Sequence, residues 1–227
     1  MPNFLFEGRS GRDLSQVFGD SLLFLLVESG AMNMLPASSS QPKLIAASFW
    51  RRLDQPGHDC CRLFRFPSGW KLHGMAVFVE SGQPCNLAYE VVVDSQWKTR
   101  SARLTGFRGK REIDMRIRRT KGGNWRVGTE IQHAVADCVD IDLGFTPTTN
   151  LLAIRRLNLA VGEQAEAPAA WLALPSLKLK VLPQTYLRST KVEYEYEAPS
   201  VGYKGRLRVS KLGVVEQYPG LFEIATA

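Results

Sequence analysis

The stretch Ile113-Asp-Met-Arg-Ile-Arg118 alternates apolar and charged residues with a period of two. In an extended chain this puts Ile113, Met115 and Ile117 on one face and Asp114, Arg116 and Arg118 on the other. Lys191 to Glu197 repeats the pattern, with Val192, Tyr194 and Tyr196 opposing Lys191, Glu193, Glu195 and Glu197. Antiparallel sheets with one dry and one wet side are made of such strands. Outward from these two stretches, short runs rich in β-branched and aromatic residues follow one another. They cover residues 49–53, 61–66, 70–80, 86–94, 99–105, 113–119, 125–131, 135–143, 151–159, 170–174, 177–186, 192–196, 203–209 and 214–218. Turn residues separate them, among them Pro67-Ser-Gly69, Ser81-Gly82, Lys121-Gly-Gly-Asn124 and Ala198-Pro-Ser200. The prediction is an all-β, mainly antiparallel domain with almost no helix, whose long sheet twists and curls to bury its apolar face. A sheet curled this far can enclose an apolar cavity. No βαβ rhythm is present, which excludes a doubly wound nucleotide-binding fold.

The first 45 residues read differently. Leu14, Val17, Phe18, Leu22, Leu25 and Leu26 recur at helical spacing behind Asp13, a suitable N-cap, and predict a short helix within an extension that is otherwise loosely attached. The β-rich domain is placed at 46–227. The apolar run 22–27 is far shorter than a membrane span, and Glu7 and Asp13 cancel Arg9 and Arg12 where a signal peptide would be basic. A cytoplasmic location without a transmembrane segment is the expectation. Cys60, Cys61, Cys85 and Cys138 show no disulfide-scaffold spacing and read as reduced thiols; neighbouring Cys60 and Cys61 would face opposite sides of a strand. With no C-x-x-C and few histidines, His58 beside Cys60 and Cys61 is a weak metal pattern, and no metal or cofactor is expected.

Charge is concentrated in one place. The chain of 227 residues carries a net +7, yet residues 98–126 alone hold eleven basic side chains against Glu112 and Asp114. Everything outside that stretch is therefore nearly neutral, and any electrostatic attraction would come from one face. Its simplest reading is a solvated sheet face. The alternatives are contact with an anionic surface or with an acidic partner. Nucleic acid would need exposed aromatics among the arginines, and Trp97, Phe107 and Trp125 do interleave, but aromatics among strands are usually core and no nucleic-acid-binding motif accompanies them.

The sequence lacks G-x-G-x-x-G, the P-loop, G-x-S-x-G and H-E-x-x-H, and so lacks the familiar phosphate, nucleophile and zinc mechanisms. Asp140 and Asp142, at i and i+2, would project from one face of a strand about 6.6 Å apart at the backbone. That pair suits acid–base hydrolysis. It equally suits a structural network, because Arg155 and Arg156 follow the Thr146-Pro-Thr-Thr-Asn150 turn and could return to neutralise an aspartate. Five tryptophans and a series of tyrosines either pack the core or line a concavity fit for an amphiphile.

A distinctive order of motifs runs through Trp50-Arg-Arg-Leu-Asp54, Gly57-His-Asp59, Gly69-Trp70, Tyr89 to Asp94 and Trp97-Lys-Thr-Arg-Ser101. Its most specific part is Asp140-Ile-Asp-Leu-Gly-Phe-Thr-Pro-Thr-Thr-Asn150 leading into Ile154-Arg-Arg-Leu157. It continues in Ala170-Trp171, Pro175, Gln184-Thr-Tyr186, Tyr194-Glu-Tyr196 and Val215-Glu-Gln-Tyr-Pro-Gly220. Over residues 47–224 this order resembles the bacterial putative glycolipid-binding family. Two positions depart from the pattern, Ala153 where the family often has proline and Lys211 where it often has an acid. The resemblance implies a spiral β-roll or half-open barrel, similar in outline to lipoprotein carriers. It also implies a non-catalytic protein that holds a glycolipid or other amphipathic ligand on the concave face of the sheet. Asn150, Arg155, Arg156, Tyr186, Arg188 and Tyr194 are then the candidates for holding polar head atoms, with Asp140 and Asp142 as a structural polar network. The competing expectations are a hydrolase built on Asp140 and Asp142, and a module whose 98–126 face binds an acidic partner.

Overall fold

A computed structural model describes residues 41–225; the helix expected behind Asp13 lies outside the described residues. The strands, in chain order, are β1 (Lys43–Arg52), β2 (Gly57–Phe66), β3 (Gly69–Glu80), β4 (Gln83–Asp94), β5 (Thr99–Arg108), β6 (Arg111–Arg119), β7 (Trp125–Val127), β8 (Glu130–Ile131) and β9 (Asp140–Leu143). After helix α1 (Asn150–Leu157) come β10 (Gln164–Glu166), β11 (Ala169–Ala173), β12 (Lys178–Leu182), β13 (Thr185–Arg188), β14 (Glu193–Ala198), β15 (Tyr203–Val209), β16 (Val215–Tyr218) and β17 (Phe222–Ile224). Strand β1 starts at Lys43, so the sheet takes in a few residues assigned to the extension.

Fourteen strands form one antiparallel sheet in the order β10-β13-β14-β15-β16-β17-β1-β2-β3-β4-β5-β6-β7-β8, curled but not closed into a barrel. Two meanders make it, and β17 joins them by pairing with β1, Trp50 opposite Ile224 and Arg52 opposite Phe222. The alternation read from the sequence decides the faces. Ile113 and Ile117 are buried while Asp114, Arg116 and Arg118 are exposed. Tyr194, Tyr196 and Ala198 likewise turn inward from β14. Cys61 is buried and Cys60 exposed, as adjacent strand positions require, and all four thiols are free.

A second sheet of three strands, β12-β11-β9, departs from the antiparallel rule, since β9 and β11 run parallel with Trp171 opposite Asp142. The expected strands at 135–143 and 177–186 are each divided. The first begins as a 3-10 turn at His133–Val135 and resumes as β9; the second breaks between β12 and β13 as the chain passes from the small sheet to the large one.

The expected strand at 151–159 is a helix. Thr146 caps a 3-10 turn at Pro147–Thr149, its Oγ1 accepting from the Thr148 amide, and this turn feeds directly into α1. Residues 150–154 are all buried and α1 is only eight residues long, so its continuous apolar run Leu151-Leu-Ala-Ile154 reads equally as a buried strand. Ala153 sits inside it rather than in a turn. The helix and the segment before it fill the concave side of β1–β5. Phe145 stacks on Phe78 at 5.8 Å and meets the Tyr89 edge at 5.9 Å. Between Trp50, Cys61, Leu63, Leu72, Thr148, Leu151 and Val214 only about 10 Å³ stays open, room for one water at most. The concave face in this half is therefore core, and the open part lies elsewhere.

Candidate functional site

A cavity of about 260 Å³ remains where the β14–β17 half of the large sheet faces the small sheet. Tyr196, Tyr203, Tyr218 and Phe222 form one wall, Trp171 and Leu182 the other, and Asp142, Thr146 and Asn150 supply polar atoms at its base. The tyrosine rings brace one another edge-on: Tyr218 lies 4.9 Å from Tyr203 and 5.8 Å from Tyr196, and the Tyr203 hydroxyl donates to the Pro219 carbonyl at 3.0 Å. Gly144 makes the Trp171 wall possible, because a Cβ at that position would collide with the indole nitrogen. A small apolar-walled cavity with a few convergent polar groups is the usual form of a small-molecule site, and this one lies just below the usual range of roughly 300–1,000 Å³.

Asp142 is held by a relay of uncharged groups. Asn150 Nδ2 donates to the Tyr186 hydroxyl at 3.0 Å, Tyr186 donates to Gln184 Oε1 at 3.2 Å, and Gln184 Nε2 donates to Asp142 Oδ2 at 2.6 Å. Burial pushes the Asp142 carboxyl up to about 6 despite the Gln184 bond, and nearby Asp140 adds to the rise. Asp140 itself is engaged by Arg156, whose Nε and Nη2 reach its carboxylate at 3.0 and 2.7 Å. Burial raises the Asp140 pKa as well, against the pull of Arg156.

Thr146 links the cavity to a second buried carboxylate. Its hydroxyl donates to Asp59 Oδ2 at 2.5 Å; the Tyr89 hydroxyl reaches Asp59 at 3.0 Å and Thr148 at 3.1 Å. Among the described residues no cation neutralises Asp59, and burial pushes its pKa to about 6 although the three hydroxyls oppose the shift. Gly74 permits this arrangement: a side chain there would strike the Tyr89 ring tip on its way to Asp59.

A family model described as "Putative glycolipid-binding" matches residues 47–223. The chain belongs to that family. Among solved structures, a DUF1089 family protein from Pseudomonas aeruginosa is similar, with 26% identity and a TM-score of 0.66 over 88% of this chain and 98% of that one. No curated protein matches. The matched residues of this glycolipid-binding family member span both meanders, the small sheet and α1, so cavity and relay both lie within the family's domain.

Of the six residues expected to hold a polar head, the structure brings Asn150 to the cavity. The others face different tasks. Arg156 is bound to Asp140, and Arg155 lies over the Trp97 ring at 5.3 Å. Arg188 donates to the carbonyls of Leu159, Thr190 and Lys191 and covers Tyr194 at 5.7 Å. Tyr186 is fully buried within the relay, and Tyr194 is buried. The cavity itself is lined with aromatic, aliphatic, amide, hydroxyl and carboxylate groups. Sequence reasoning missed Trp171, Tyr203 and Phe222 as cavity residues because β11, β15 and β17 meet only through the tertiary fold. The signal that could have found two of them is the family motif Ala170-Trp171 and the tyrosine cluster.

Asp140 and Asp142 do belong to polar networks, but separate ones, and only Asp142 lines the cavity. Among the nucleic-acid candidates Trp97 and Trp125 are buried while Phe107 is exposed, so the three do not form a shared stacking surface. His58 stacks on Phe49 at 5.2 Å, while Cys61 turns to the other side of β2. Among the described residues no helix is long and apolar enough to cross a membrane.

Proposed function

We propose that this protein is a non-catalytic binding protein for a glycolipid, and that it takes the sugar of its ligand between Trp171 and the tyrosines of β14–β16. The carrying observation is the chemistry of the cavity wall. Sugar rings present apolar C–H faces and polar hydroxyl edges, which matches aromatic faces above a base of carboxylate, amide and hydroxyl groups. The volume suits a sugar residue or a short stem better than a pair of acyl chains, whose remaining length would stay outside. Membership of the family supports binding of this ligand class in general terms. Titration with an alkyl glucoside, followed by tryptophan fluorescence, tests the reading: saturable quenching that is lost in Trp171→Ala is expected. Absence of any saturable change, together with a clean apo mass in native mass spectrometry after incubation with bacterial lipids, would sink it.

Hydrolysis is the second reading, and Asp142 keeps it in view, since its raised pKa and its place in the cavity are those of a general acid. Glycoside hydrolysis normally needs two carboxylates flanking the bond. Asp140 is occupied by Arg156, which leaves Asp142 without that second carboxylate and favours binding over turnover.

A further inference from the structure

The convex side of the large sheet carries a row of charges aligned by strand register. Arg62, His73, Glu90, Arg103 and Arg116 face one another across β2, β3, β4, β5 and β6. Two residues along, Ser101, Arg118 and Arg126 are aligned across β5, β6 and β7. Two like-charge pairs, Arg103 with Arg116 and Arg118 with Arg126, thus stand directly opposite, an arrangement that costs stability unless an anion relieves it. Little within the protein does so. Glu90 is engaged by Lys71 at 3.1 Å, and Asp114 reaches Arg103 only at 3.5 Å between two well-exposed side chains. Among the described residues Arg116 and Arg118 make no ion pair. Arg103, Arg116, Arg118, Ser101 and Glu90 rim a depression of about 220 Å³.

On the same outward face, toward β1 and β3, Phe49, Met75 and Val77 are about half exposed at 45%, 48% and 53%. Arginines beside exposed apolar side chains on one broad sheet face match a bilayer surface, where anionic headgroups meet the edge of the acyl region. Nucleic acid fits less well, because Trp97 and Trp125 are buried and leave Phe107, 36% exposed, as a single aromatic among the arginines where stacking of successive bases needs several. We propose that this face docks the protein on bilayers rich in anionic phospholipid, with Arg103, Arg116 and Arg118 taking headgroup phosphates at the depression. The proposal stands apart from the sugar cavity, which lies on the inner side of the other half of the sheet.

The test is co-sedimentation of the full chain with phosphatidylcholine vesicles, with and without phosphatidylglycerol and free of glycolipid. The protein partitions to the anionic vesicles, and partition falls as salt rises. Each arginine removed lowers it about five-fold, so Arg103→Gln/Arg116→Gln/Arg118→Gln abolishes it in practice, while the matching triple Arg→Lys variant keeps most of it. Three results would overturn the proposal: equal partition to neutral vesicles, undiminished partition of the glutamine variant, or binding to a single-stranded oligonucleotide without binding to vesicles. Inorganic phosphate separates headgroups from a soluble anion. If it displaces the protein no better than chloride at matched ionic strength, bilayer docking stands; selective displacement assigns the arginines to a free oxyanion instead. A glycolipid-free readout keeps failure here distinct from failure of the sugar-binding reading.

Discussion

Gln184 holds Asp142 from behind, its side-chain amide donating to the Asp142 carboxylate at 2.6 Å while its carbonyl accepts from Tyr186. The bond favours the ionised carboxylate, so its loss pushes the Asp142 pKa above its present value of about 6. Gln184→Leu is expected to shift the pH midpoint of ligand binding upward, because an ionised Asp142 is the better acceptor for sugar hydroxyls. Tyr186→Phe should shift it in the same direction by less. Alkyl glucoside titrations between about pH 5 and pH 8, which bracket the value of about 6 and a further rise from it, measure this directly.

Asp59 makes stability depend on pH in the opposite sense from a salt-bridged aspartate. Its pKa is raised on folding, from 3.8 to about 6, so the folded state binds the extra proton between those values. The stabilisation this represents is complete below the unfolded value and is lost as pH rises through about 6. A shift of this size corresponds to about 3 kcal/mol at neutral pH. The protein is expected to melt several degrees higher near pH 5 than at pH 7.5. Asp142, raised likewise to about 6, contributes in the same sense, so Asp59→Asn, which keeps the shape and can still accept from Thr146 and Tyr89, should roughly halve that dependence; an unchanged slope would assign it to other groups.

Leu151 seals α1 against the concave face beside Trp50 and Leu72. With only about 10 Å³ unfilled there, the site has little slack to redistribute. Leu151→Ala is expected to cost about 2–5 kcal/mol, seen as a lower denaturation midpoint with an unchanged slope.

Gly144 separates packing from ligand binding. Gly144→Ala forces the Trp171 indole away from β9, where its nitrogen now lies against the glycine. Alkyl glucoside affinity should fall by about ten-fold or more, as for loss of an aromatic wall, while far-UV circular dichroism stays unchanged. Unaltered affinity would place the sugar elsewhere.

Much of the fold is legible in the chain because period-two alternation is a local property. Residues 113–118 and 191–197 announce which side chains turn inward, and the structure agrees at Ile113, Ile117, Tyr194 and Tyr196. The helix at 150–157 was not legible for the converse reason. It is eight residues long and opens on the continuous apolar run 151–154, too short a stretch for periodicity to separate a helix from a buried strand.

The site divides along the same line. Composition and motif order carried the family, the curled antiparallel sheet and the concentration of charge at 98–126, all of which depend on neighbours in sequence. Which arginines are free, and which are consumed by Asp140 or by backbone carbonyls, depends on partners brought together from distant strands. So does the cavity, assembled from β9, α1, β11, β12, β14, β15, β16 and β17. Pairing specificity in a sheet of this size is set by burial of a shared apolar face. That is a sum over many strands, and no single stretch of sequence contains it.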